Sequence, residues 1–168
     1  KVDAIDSSLQ MMESIIRDTY AKSAGTTQHP PYSFVCGNHD FFLLNRDVIY
    51  GNDFFTPPWI KAQCSPSQLY YSFSPQKGFR FVFLDLYEIS VDGGLNEACK
   101  QEARDILNKE NINIATDQHD WLQGLPEEKK RFVPYNGDMS THQYLWLTQT
   151  LQTACDNDEK VFVFCHNP

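Results

Sequence analysis

The chain has 168 residues, 41% hydrophobic and 21% charged, with 22 acidic against 14 basic side chains and a formal charge of -8. That balance fits one globular domain able to bury roughly 70% of its unfolded surface, which excludes a disordered tract and a disulfide-stapled miniprotein. The acidity disfavours phosphate-backbone binding of nucleic acid. No run reaches the ~18–20 apolar residues of a membrane span, and acids stand in the opening segment where a signal peptide has none. Five widely spaced cysteines (Cys36, Cys64, Cys99, Cys155, Cys165) form no C-x-x-C, which points to reduced thiols in a cytoplasmic protein rather than a disulfide or zinc framework. Cys36 and Cys165 lie in apolar runs and read as small buried hydrophobes.

Over residues 2–20, Ile5, Leu9, Met12, Ile16 and Tyr20 recur at steps of three and four, the pattern of a helix with one core-facing side. Gly25, Pro30 and Pro31 end it, and residues 32–36 (YSFVC) form a β-prone run that stops at Gly37-Asn38-His39-Asp40. Residues 69–74 (LYYSFS) and 79–86 (FRFVFLDL) predict a hairpin closed by a three- or four-residue loop, the second arm apolar on both faces as a central strand is. Residues 95–110 predict a helix through Ala98, Ala103, Ile106 and Leu107. Residues 111–139 show little periodicity and read as a long irregular excursion. Ser140-Thr141-His142-Gln143 has the form of a capping box, opening a helix whose Tyr144, Leu145, Leu147 and Leu151 face a core. A buried strand, VFVFC, then ends at His166, Asn167 and Pro168.

Two apolar strands thus end in NHD and HNP, and in α/β proteins ligands bind beyond the carboxyl ends of strands. Asn38 offers an amide oxygen, His39 and His166 offer imidazole nitrogens, and Asp40 can orient His39 through a hydrogen bond. Mixed nitrogen and oxygen donors suit manganese, iron or zinc. An acidic protein can hold a phosphate-bearing substrate when bound metal ions supply the local positive charge.

Gly37-Asn38-His39-Asp40 resembles the G-N-H-[DE] block of the calcineurin-like metallophosphoesterases, and His166 resembles the lone strand-terminal histidine that follows it. The resemblance implies an α/β chain, part of a two-sheet β-sandwich flanked by helices, with two divalent metal ions at the strand ends. It implies that Asn38 and His166 are ligands of one metal and that His39 contacts the phosphate and assists the leaving group, with Asp40 beside it. A narrower likeness, through YYSFSPQKGFRFVFLDLYEIS (70–90), QGLPEEKKRFVPYNGDMSTHQYLWL (123–147) and EKVFVFCHNP (159–168), is to the manganese-dependent ADP-ribose/CDP-alcohol diphosphatases. It implies Mn2+ as the metal, hydrolysis of the pyrophosphate bond of a small nucleotide substrate, and a nucleotide site lined by Asn136 and Gly137.

Three blocks of the family pattern are missing: a D-x-H and a G-D-x-x-D before the G-N-H-D, and a G-H-x-H after the lone histidine. Asp117-Gln118-His119 reads D-x-H but follows the second motif, and Gly137-Asp138 lacks its second carboxylate because position 141 is Thr141. The expectation is therefore a single incomplete domain over residues 1–168, the middle of a longer enzyme and inactive alone. Two alternatives stand beside the diphosphatase reading: another calcineurin-like phosphomonoesterase or phosphodiesterase, and a non-catalytic module binding a nucleotide or a protein.

Overall fold

The computed structural model describes residues 33–65 and 67–167, together with Gln10, Met11, Ser14, Ile15 and Asp18, which are helical. The expected packing face of the first helix, Ile5, Leu9, Met12, Ile16 and Tyr20, lies outside the described residues. Residues 33–37 form no strand, contrary to the β propensity of that run. The reason is local: the Tyr71 hydroxyl donates to Phe34 O (3.1 Å) and lies 3.2 Å from Phe34 N, so one phenol occupies the groups a neighbouring strand would use.

Three short helices follow. In α1 (Asn38–Leu43) the Asp40 carboxylate accepts from Gly37 N at 2.7 Å and fixes the first turn. Asn45 caps α2 (Arg46–Gly51) by accepting from Val48 N at 2.9 Å, and Pro58 begins α3 (Pro58–Lys61), where a missing N–H does no harm. Their apolar sides meet in a core of Phe41, Ile49, Phe54, Phe55 and Tyr87, against which Phe34, Cys36, Leu44 and Leu69 pack.

The hairpin forms as β1 (Tyr71–Phe73) and β2 (Phe79–Phe83), antiparallel with Tyr71 opposite Phe83. Its connection is five residues, 74–78, longer than the turn chemistry suggests, and Gly78 supplies the φ of 85° that closes it. β2 is central, as expected: on its other side it pairs in parallel with β5 (Lys160–Phe164), Phe83 beside Phe164. Tyr71, Phe83 and Phe164 stack ring on ring at 4.7 and 4.8 Å, and Ile60 and Trp59 close the cluster from α3. β5 is not the buried strand its composition predicts, because Phe162 (47%), Val163 and Phe164 are exposed on the described surface.

Between β2 and β5 the chain forms β3 (Ile89–Ser90), α4 (Glu97–Glu110), α5 (Ile112–Ala115), β4 (Gly137–Asp138) and α6 (Thr141–Asp156). Asn96 caps α4, whose Ala103 and Leu107 are buried while Ala98 and Ile106 are exposed. The stretch 111–139 has few regular elements but is not loosely held. Asn111 Nδ2 donates to Trp121 O (3.1 Å) and Phe132 O (2.7 Å), and Asn113 Nδ2 donates to Trp121 O (3.2 Å) and Gln123 O (2.9 Å). Two buried amides thus replace the missing backbone ladder. β4 then pairs antiparallel with β3, in a two-stranded sheet of its own.

The α6 cap departs from the expected box in one respect. Ser140 Oγ accepts from Gln143 N (3.2 Å), but the reciprocal acceptor is Glu88, whose carboxylate takes Ser140 N (2.9 Å), Ser140 Oγ (2.7 Å) and Gln143 Nε2 (2.6 Å). Tyr144, Leu145 and Leu151 of this helix are exposed rather than core-facing. The mixed α/β class is as the sequence implies, and no described helix is long and apolar enough to cross a membrane.

Candidate metal and substrate site

Parallel pairing of β2 and β5 puts both carboxyl ends at one edge of the sheet. Beyond β5 come Cys165, His166 and Asn167; beyond β2 come Asp85 and Tyr87. Asp85 is buried and serves as the junction. Its carboxylate meets Arg46 Nη1 at 2.5 Å and accepts from Tyr87 N at 3.0 Å, while its backbone N–H and carbonyl are both held by the Gln143 side chain. Arg46 also donates from Nε to Gly93 O at 2.5 Å and lies over the Phe41 ring. α1 and α2 are in this way fixed against the end of β2.

The consequence is that Asn38, at the start of α1, meets His166 from the end of β5: Asn38 Oδ1 and His166 Nε2 are 3.1 Å apart. Gly37 makes the approach possible, since a Cβ there would stand 2.7 Å from the His166 ring. Two donors each about 2.1 Å from one ion at a right angle lie about 3.0 Å apart, so the pair fits two adjacent corners of an octahedral site. An amide oxygen with an imidazole nitrogen is a donor set that Mn2+ accepts. Among the described residues no three His, Cys, Asp or Glu side chains converge.

The other expected site residues are placed as follows. His39 is exposed on α1 with its ring edge-on to Phe42, 5.6 Å between centroids. The Asp40 carboxylate caps the helix through Gly37 N, and no described hydrogen bond joins it to His39. Asn136 donates from Nδ2 to Arg131 O (2.9 Å), and Gly137 is required because a Cβ would stand 2.3 Å from Leu86 O. Both line a cavity of about 360 Å³ between α4 and residues 131–138, a wall of which is Asn167. Asp117 and His119 stand exposed in the connection after α5.

Sequence reasoning missed three residues. Tyr87 is buried, its ring 6.3 Å from that of His166, and its hydroxyl donates towards Asn167 Oδ1 (3.2 Å) and Tyr135 O (3.4 Å). Burial raises its phenol above the ordinary range against the opposing hydrogen bond to Asn167. Arg46 carried no motif, and Asn167 was read only as part of the HNP terminus. Cys36, packed on the first core, has its thiol pushed well up by burial and by Asp85 and Asp40, so it is an inert thiol; Cys165 is exposed, contrary to its apolar context.

The chain has the α/β fold of the calcineurin-like metallophosphoesterases, with an NHD helix and a strand-terminal histidine at one sheet edge. A solved dimetal phosphatase from Danio rerio superposes with a TM-score of 0.71 at 29% identity, covering 81% of this chain and 43% of that one. Within the class, its relatives are the manganese-dependent ADP-ribose/CDP-alcohol diphosphatases. The protein of that name from Arabidopsis thaliana is 32% identical over 164 residues, 97% of this chain and 48% of the relative, and the one from Homo sapiens is 34% identical over 146 residues, 82% and 41% respectively. The chain thus spans about half the length of the curated relatives it matches. No family model matches it.

Proposed function

We propose that the chain is the central portion of a metal-dependent hydrolase that cleaves the pyrophosphate bond of ADP-ribose or a CDP-alcohol. The juxtaposition of Asn38 and His166 carries this reading, because an amide oxygen and an imidazole nitrogen brought to 3.1 Å from positions 128 apart in the chain have the spacing of neighbouring metal ligands. Divalent ions held there, Mn2+ by the relatives' name, would supply Lewis acidity and an activated water. Asn38 would hold an ion through Oδ1 and His166 through Nε2. His39, one residue from Asn38 and open to solvent, would hydrogen-bond a phosphate oxygen and pass a ring proton to the departing one. Asp40 keeps the turn that carries both residues. The cavity lined by Asn136 and Gly137 would take the nucleoside.

The test is His39→Ala in the complete polypeptide, assayed with ADP-ribose and Mn2+. A general acid contributes about 10²–10⁴ in rate, so kcat should fall by that factor with the circular dichroism spectrum unchanged. An unaltered kcat would remove His39 from the mechanism.

A further inference from the structure

β5 leaves its ladder at Phe164, whose carbonyl accepts from Leu84 N at 3.0 Å. Past that bond, the position of His166 depends on what residues 165–167 touch. Cys165 Sγ donates to Asn167 O at 3.0 Å, a bond within the turn itself. Among the described residues the hydrogen bonds from this turn to the rest of the molecule are two: His166 on Asn38, and the Asn167 side chain on Tyr87, with 3.2 Å between Oδ1 and the phenol oxygen. The same hydroxyl is hydrogen-bonded by the Asn38 backbone and lies 3.4 Å from Tyr135 O, beside Asn136 on the cavity wall. Tyr87 is itself held firmly, buried with its N–H on Asp85 Oδ1 (3.0 Å) and its ring 5.2 Å from that of Phe41. One buried oxygen thus joins the segment that carries Asn38 to the segment that carries His166.

We propose that Tyr87 is a positioning residue of this site, its hydroxyl holding Asn38 and His166 at the spacing of neighbouring metal ligands. It acts through the Asn167 side chain and the Asn38 backbone, not by touching an ion. Groups behind metal ligands set the ligands' orientation and so the affinity of the site. A hydroxyl that fixes both segments before an ion arrives spares the ion the cost of ordering them. Gly37 and the Tyr87 ring, 6.3 Å from that of His166, border the imidazole and add packing to the same end. The inference rests on the metal-dependent reading of the Asn38–His166 pair and adds the residue that prepares the pair.

The experiment is a calorimetric Mn2+ titration of the complete polypeptide, wild type against Tyr87→Phe, which keeps the ring on Phe41 and His166 and removes the hydroxyl. The step of the wild-type titration that is lost in Asn38→Ala identifies the ion concerned. Its Kd should rise by at least about tenfold in Tyr87→Phe, the low end of the ~10–100-fold that loss of a group behind a metal ligand costs. A merely structural tyrosine would lower the urea midpoint and leave the Mn2+ affinity of the folded protein unchanged. Asn167→Ala removes the other half of the same bond and should weaken the ion by a similar factor, so it carries the test if Tyr87→Phe does not fold. The double variant should bind within about threefold of Tyr87→Phe, since the second change finds the bond already gone; multiplication of the two losses overturns the proposed route. A Kd within about twofold of wild type in folded Tyr87→Phe overturns the proposal and leaves the metal reading standing. A wild type with no titration step that Asn38→Ala abolishes overturns both.

Discussion

Arg46→Met removes the guanidinium while keeping an apolar stem on Phe41. The Asp85 carboxylate, whose side chain is 1% exposed, then keeps only the Tyr87 N–H of its side-chain donors, and Gly93 O loses its bond from Nε. Removing one partner of a buried ion pair costs about 3–5 kcal/mol, a large share of the ~5–15 kcal/mol that holds a domain folded. We expect a loss of about 4 kcal/mol, read by urea unfolding of the complete polypeptide through tryptophan fluorescence at constant m-value. Arg46→Lys, which keeps charge but not the fork, should lose about half as much. Arg46→Met with Asp85→Leu should be more stable than Arg46→Met alone, since no charge is then stranded, and the double-mutant cycle should show a coupling of ~2 kcal/mol or more. A loss below about 1 kcal/mol for Arg46→Met, or simple additivity in the cycle, would refute the assignment of Asp85 as the junction.

Three further outcomes are expected. Gly37→Ala, at a φ of -115° that alanine adopts freely, should change stability by less than about 1 kcal/mol yet weaken Mn2+ binding by tenfold or more, because its Cβ would displace the His166 ring from Asn38; an Mn2+ titration followed calorimetrically checks it. Gln143→Leu strands the Asp85 N–H and carbonyl together with one donor to Glu88, and should lower stability by about 2–4 kcal/mol in urea melts. Cys36 is pushed well up and Cys64 up to about 12 by burial, from an ordinary 9.0, so the native state keeps protons that the unfolded chain releases. Their contribution is therefore whole below about pH 9 and is lost as pH rises towards 12. Stability should fall through that window, and alkylation at pH 8 should reach the exposed Cys155 and Cys165 before Cys36.

How far the sequence could be read depended on the range of the interaction. Helix α6 was legible because Ser140 is a local cap, and α4 because residues 95–110 are rich in helix formers, although its Asn96 cap was not read as one. The β1–β2 hairpin was legible because aromatic runs flank a Pro and Gly turn. The pairing of Asn38 with His166 came from the family likeness, and the two side chains lie 3.1 Å apart. Asp85 with Arg46 and Gln143 was not legible, since nothing near Arg46 in the chain distinguishes it from a surface arginine, and only the fold removes it from water. The order within residues 111–139 was hidden for a similar reason: Asn111 and Asn113 look like turn residues, while their work is to hold carbonyls 8 to 21 positions away. Residues 33–37 show the opposite error, a strand propensity overridden by one tyrosine hydroxyl.

Asn38 and His166 stand 128 positions apart, which makes their meeting the longest hydrogen-bonded closure among the described residues. Such closure carries an entropic cost that grows with the logarithm of the span, and it needs α1, β2 and β5 all in place. A metal ion bridging the pair would select the fully closed chain over every partly ordered one. Free ion at a hundred times its dissociation constant would add about 2.7 kcal/mol to folding by mass action. Release of such an ion and loosening of the sheet edge would then be coupled in one equilibrium.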